Sequence, residues 1–151
     1  MIQYLIIIIS FLLPTFIISQ NEVCLEISSN PHPFDPALNA FTKYVNVLDC
    51  FHIYAEPSIS DAKVLHAAAV AAELLDNNED GFVDDPMVES ALKNSESMMP
   101  IFSTEWSTAM DDVWDNYDGC VSAALFNNEI DPSQPGHWGD DASVEEILHT
   151  I

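Results

Sequence analysis

The chain of 151 residues sets 25 aspartates and glutamates against three lysines and no arginine, a formal charge of −22. Such a charge is repelled by phosphate backbones and anionic headgroups, which excludes nucleic acid as a partner and makes divalent cations the natural counterweight. It is no disordered acidic tail either, because 48% of the residues are apolar, enough for one core of ordinary size, in which Trp106, Trp114 and Trp138 are expected to be buried.

Ile2 to Ile18 is an apolar run without a charged residue, centred on Ile6 to Ile9, and polar Gln20-Asn21-Glu22 follows. The pattern predicts a signal peptide over residues 1–19, cut near the small Ser19, and so a secreted, extracellular protein. The leader lacks Lys and Arg before the apolar run. The alternative is an uncleaved membrane tether, for which the run, interrupted by Pro14, is shorter than the roughly 20 residues a span needs. Cys24, Cys50 and Cys120 are an odd set for an oxidising compartment; one disulfide is allowed, its pairing open, with one thiol over.

Residues 20–151 read as a single acidic domain. Pro31, Pro33 and Pro36 keep the stretch from Asn30 extended or turn-like. Ala37 to Tyr54 is ambiguous, and within it Cys50 to Tyr54, rich in aromatic and β-branched residues, predicts a short strand. A helix is expected from Asp61 to Leu75, with Ser58 and Ser60 as caps and Val64, Leu65, Ala68, Ala72 and Leu75 on its apolar face. A second begins at Pro86 behind Asp85 as N-cap, burying Val88, Ala91 and Leu92. Met98 to Phe102 suits an edge strand. The spacing of Trp106, Met110, Val113, Trp114 and Tyr117 predicts a third helix, ended by Asp118-Gly119. Cys120 to Phe126 is a strand or more helix, and Asn127 to Asp140 a loop. Ser143 as N-cap, with Glu146 three residues on, opens a last helix. So short a helix is unstable alone, and the domain is expected to be truncated at its C-terminus. The fold class expected is mainly α with a few short strands, organised around an EF-hand-like helix–loop–helix at residues 61–94.

The chemistry is clearest at Asp76-Asn77-Asn78-Glu79-Asp80-Gly81-Phe82-Val83-Asp84-Asp85-Pro86-Met87. Asp76, Asn78 and Asp80 stand at positions 1, 3 and 5 of an EF-hand calcium loop, and Gly81 at position 6, where the chain must turn sharply. The Phe82 carbonyl is the position-7 ligand, and Asp84 at position 9 binds directly or through water. Val83 at position 8 supplies a small apolar contact. Met87 stands at position 12, where a bidentate Glu belongs, and a thioether is no ligand for a hard cation. Binding is therefore expected to be weak, on the order of 10⁻⁴ to 10⁻³ M, as in extracellular modules. An Asx-rich turn that binds nothing is the plain alternative. No second loop is visible to pair with this one, which favours a structural ion over a regulatory sensor.

The histidines are less telling. His32, His52 and His66 are scattered, and His66 reads as a surface or hydrogen-bonded core residue. Glu145, Glu146 and His149 have the spacing of one helix face, and His137 in the preceding loop could add a ligand. A metal-dependent hydrolase whose site begins at Glu146 and His149, completed by further sequence, is the alternative function. Neither H-E-x-x-H nor G-x-S-x-G occurs, so no catalytic residue is assigned and calcium is the one cofactor expected.

The blocks Asp61-Ala62-Lys63-Val64-Leu65-His66-Ala67-Ala68 and Leu74 to Gly81, with Asp141 to His149, resemble a family of largely uncharacterised secreted proteins with a single EF-hand-like calcium loop. The resemblance covers roughly residues 45–151. It implies a leucine- and alanine-rich helix leading into the acidic loop, and a Glu/His segment that continues beyond His149. It implies no activity.

Overall fold

A computed structural model describes residues 24–134 and 141–151. The leader at 1–19, and His137 and Trp138 in the loop, lie outside these residues. The first half is organised by a tight hairpin. After the short strand β1 (Ser28–Ser29), β2 (Lys43–Val47) and β3 (Phe51–Ala55) pair antiparallel, with Val45 opposite Ile53 and Val47 opposite Phe51. Residues two apart share a face of a pleated strand, so Val45, Val47, Phe51 and Ile53 line one side and Tyr44, His52 and Tyr54 the other. Three residues connect β2 and β3: Leu48 (φ 49°), Asp49 (φ 55°) and Cys50, whose N–H donates to Val47 O at 3.1 Å. Two left-handed central residues define a type I′ turn, whose twist matches that of the strands. A leucine there costs about 1–2 kcal/mol, partly offset by its packing against the core.

From β3 the chain crosses to the parallel strand β4 (Met98–Phe102) through α1 (Asp61–Leu75), the acidic loop and α2 (Pro86–Asn94). It then passes through α3 (Ala109–Asn116) to the short parallel strand β5 (Leu125–Phe126), and α4 (Ser143–Leu148) packs back on α1. Among the described residues the strands form one mixed sheet in the order β1-β2-β3-β4-β5.

The protein is thus a mixed α/β fold and not the mainly α one expected. The reason lies in burial on both faces of the sheet, which erases the alternation that marks a half-exposed strand. β4 shows this best. All five of its residues are buried, and it lies between β3 and β5 instead of at an edge. Its Pro100 is tolerated there by register. His52 N–H bonds Ser97 O and Glu56 N–H bonds Ile101 O, so the odd-numbered residues face β3. The Pro100 nitrogen points the other way, where β5 pairs only from Ile101 onward, and no ladder bond is lost.

Each face of the sheet has its own core. On one, Val45, Ile53 and Ile101 pack against Val64, Ala67, Ala68, Ala71 and Leu75 of α1 and Ile147 of α4. On the other, Tyr54, Met98 and Phe102 pack against Phe41 and against Ala109 and Val113 of α3. The bounds of α1 match expectation, but its buried stripe is rotated: Leu65 is exposed and Ala67 and Ala71 are covered. With alanine on every side, the sequence had few polar residues to mark the outer face. α2 begins as expected, Pro86 leading and Asp85 accepting from the Met87 N–H at 2.8 Å, though only Leu92 of its apolar face is fully buried.

Three further expectations are corrected. α3 starts after Trp106, which is 88% exposed, and Trp114 is also exposed; Ala109 and Val113, four apart, suffice to dock so short a helix. Gly119 is no helix cap. It lies beneath the Tyr117 ring, where a Cβ would stand 2.6 Å from the ring and 2.8 Å from the Glu96 carbonyl. Ser143 is the first residue of α4 and not its cap. The Asp141 carboxylate serves the helix start instead, accepting from the Ser143 N–H at 3.0 Å, so the capping box with Glu146 does not form.

All three cysteines are free: Cys24 exposed, Cys50 buried and Cys120 between. Burial, reinforced by the nearby Glu89 charge, pushes the Cys50 thiol up to about 11. No helix among the described residues is long and apolar enough to cross a membrane.

Candidate functional site

The acidic loop is wound around one side chain. As α1 ends, the Asp76 N–H makes the last helical bond to Ala72 O at 2.9 Å, and the side chain turns inward, leaving the residue 3% exposed. Its carboxylate accepts from the N–H groups of Asp80 at 3.1 Å and Gly81 at 2.7 Å. To bring those amides back, the chain reverses through Glu79 (φ 58°) and Gly81 (φ 88°). Gly81 is in the left-handed region where a glycine is cheapest, as position 6 of the motif requires. The mouth is tied by the Asp84 N–H donating to Leu75 O at 2.9 Å, and half-buried Val83 packs on the core.

Asp84 and Asp80 are also engaged within the loop. Asp84 accepts from the Asn77 N–H at 2.9 Å with one oxygen and from the Asn78 amide at 2.7 Å with the other. Asp80 accepts from the Phe82 N–H at 3.1 Å. Asp76, Asn78, Asp80 and Asp84 are therefore gathered on one coil, with Phe82 on its exposed turn. Their carboxylates do not meet at a point: among the described residues no three His, Cys, Asp or Glu side chains stand close enough to share an ion. Like charges separate, and each here has found an N–H donor nearby. Met87 is 78% exposed and offers no oxygen.

Hard oxygen donors suit a hard cation such as calcium better than softer ions. To bind, the Asn78 amide must turn over to present its oxygen, which releases Asp84 from it. Each hydrogen bond that an ion would displace is worth about 0.5–1.5 kcal/mol.

The C-terminal cluster assembles less. Glu146 and His149 meet at 3.5 Å on α4, with His149 largely exposed. His137 lies outside the described residues, so the hydrolase alternative has one carboxylate–imidazole contact at the helix surface and no third ligand among them. His66, by contrast, is drawn into a contact that sequence spacing could not reveal. Its Nε2 lies 2.5 Å from an oxygen of Asp141, 75 positions away, whose side chain is fully buried. That pair, with the Ser143 N–H, fastens α4 to α1. It is a structural lock, as one of the two bland readings of His66 held. Asn77, at a non-ligand position of the motif, holds Asp84 through its backbone N–H.

Fold and loop together define a mixed α/β protein carrying an acidic, EF-hand-like loop in the crossover between two parallel strands. No family, curated protein or solved structure matches the chain.

Proposed function

We propose that this is an extracellular calcium-binding protein with one weak site of structural type, in the loop Asp76–Met87. The ligands are side-chain oxygens of Asp76, Asn78, Asp80 and Asp84 and the carbonyl of Phe82. One observation carries the reading: the loop already coils around Asp76, with Gly81 in the left-handed turn and Asp84 tied back to Leu75. An ion would then meet a closed coil and not a floppy segment, and ordering costs fall accordingly. The charge of the chain favours occupancy, since a divalent cation relieves repulsion among crowded carboxylates. A structural role follows from the contacts. Val83 and Leu75 join the loop to the core, so holding it fixed holds the corner between α1 and α2.

Calorimetric titration of the protein with calcium, beside an Asp76→Asn, Asp80→Asn double variant, tests this. Saturation in the range of about 10⁻⁴ to 10⁻³ M that the variant loses supports the site. Heat that never saturates, or a variant that binds as well as the parent, overturns it.

A further inference from the structure

We infer that the face of the sheet opposite α1 carries a binding cavity for a small free organic ammonium ion. None of its residues belongs to the acidic loop. Strand alternation sends Tyr44, His52 and Tyr54 to this face, and the chain leaving α3 adds Tyr117. The segment carrying His32 and Asp35 is pinned across it by Asn30, whose amide donates to Leu38 O at 2.7 Å and Phe41 O at 3.0 Å. Glu96, before β4, closes the rim. The cavity between them measures about 280 Å³, just below the roughly 300–1,000 Å³ of ordinary small-molecule sites.

Five of its eight lining residues are aromatic: His32, Tyr44, His52, Tyr54 and Tyr117. Tyr54 lines the cavity although it is almost wholly buried. The Tyr44 ring centroid lies 5.0 Å from that of Tyr54 and 5.8 Å from that of His52, on which it stacks. Two hydroxyls are already committed: Tyr44 shares a hydrogen bond with His52 Nδ1 at 2.9 Å, and Tyr117 donates to the Glu96 carbonyl. Gly119 gives the Tyr117 ring its room. Aromatic faces carry negative potential and attract cations over them.

The charges agree. Asp35 and Glu96 stand at the rim and no Lys lines the cavity. All three lysines are engaged elsewhere: Lys43 with Asp61, Lys63 with Asn127 and Lys93 with Glu89. Burial lowers the His52 pKa, which favours the neutral ring. Burial also raises Tyr54 and Tyr117, and the carboxylates of Asp35 and Glu96 raise both further. An anion is repelled by this field. A bare metal ion needs several converging oxygens, and the only carboxylates lining the cavity are those of Asp35 and Glu96. A cation clothed in C–H groups satisfies both rings and carboxylates. The acidic rim also disfavours a headgroup attached to a phosphate, leaving the free ion.

The test is an NMR titration of the tyrosine ring protons with choline and with its uncharged isostere 3,3-dimethyl-1-butanol, at constant ionic strength. Choline is expected to saturate the shifts and bind about tenfold or more tightly than the isostere. An Asp35→Asn, Glu96→Gln double variant should weaken choline by a similar factor. Both rim residues are exposed, so the fold should survive, as an unchanged circular dichroism spectrum would verify. No saturable shift, equal binding of the isostere, or a folded double variant that binds choline unchanged overturns the inference.

Discussion

In the calcium site proposed for the acidic loop, Met87→Glu would supply the carboxylate that position 12 of the motif calls for. Met87 is 78% exposed, so its side chain surrenders little packing, and its N–H bond to Asp85 is made by the backbone and persists. It is the second residue of α2, where a carboxylate gains about 0.3–1 kcal/mol from the helix dipole even without metal. With calcium, a bidentate position-12 carboxylate should move Kd from about 10⁻⁴–10⁻³ M to about 10⁻⁵ M, the weak end of the sensor range. At about 1 mM calcium, ligand linkage then gives the parent about 0.4–1.4 kcal/mol and the variant about 2.7 kcal/mol. Thermal unfolding with calcium and with a chelator reads that difference as a gap of several degrees. A variant whose melting temperature responds to calcium no more than the parent's would refute the reasoning, because the oxygens would not be facing a common ion.

Glu79→Asn should raise stability by about 0.5–1 kcal/mol, since Glu79 is exposed at φ 58° and asparagine tolerates that region better; urea unfolding measures it, and the calcium response should be unchanged. Burial opposes the charge on Glu56, but hydrogen bonds from Ser103 and Ser107 outweigh it and hold its pKa below 4.5. Its contribution is therefore complete above the unfolded value and lost as pH falls through the depressed folded one; Glu56→Gln should cost about 1–3 kcal/mol at neutral pH and flatten the acid limb of a stability–pH profile. Gly119→Ala drives a methyl into the Tyr117 ring and the Glu96 carbonyl, at a cost of about 1–3 kcal/mol, with weaker choline binding. His66→Ala strands the buried Asp141 carboxylate and should cost about 3 kcal/mol; hydrogen exchange should rise across residues 143–151 first.

Local signals carried what was legible. The bounds of α1, the Asp85–Pro86 start of α2 and the left-handed turn at Gly81 were all readable, because each depends on a few neighbouring residues. The hairpin was not: its left-handed positions are filled by Leu48 and Asp49, with no Asn-Gly to betray them. β4 passed for an edge because Pro100 suggested one, and only the register with His52 and Glu56 shows why a proline is harmless there. The tryptophans misled for a different reason. Trp106 and Trp114 have helical spacing, but the surface that α3 presents to the sheet needs only Ala109 and Val113. In the loop, residue identities indicated donors, whereas the hydrogen bonds that now occupy Asp80 and Asp84 depend on how the coil closes. The cavity was invisible because its walls come from four separated segments.

The place of the acidic loop in the topology also bears on how the chain folds. β3 and β4 are neighbours only after the long crossover through α1 and α2 has closed, and that closure is an entropic toll met before any strand contact forms. An ion that bends the crossover at Asp76–Met87 would shorten the search. Calcium should then act on the folding limb of a chevron plot more than on the unfolding limb, making the loop a nucleus for the parallel half of the sheet.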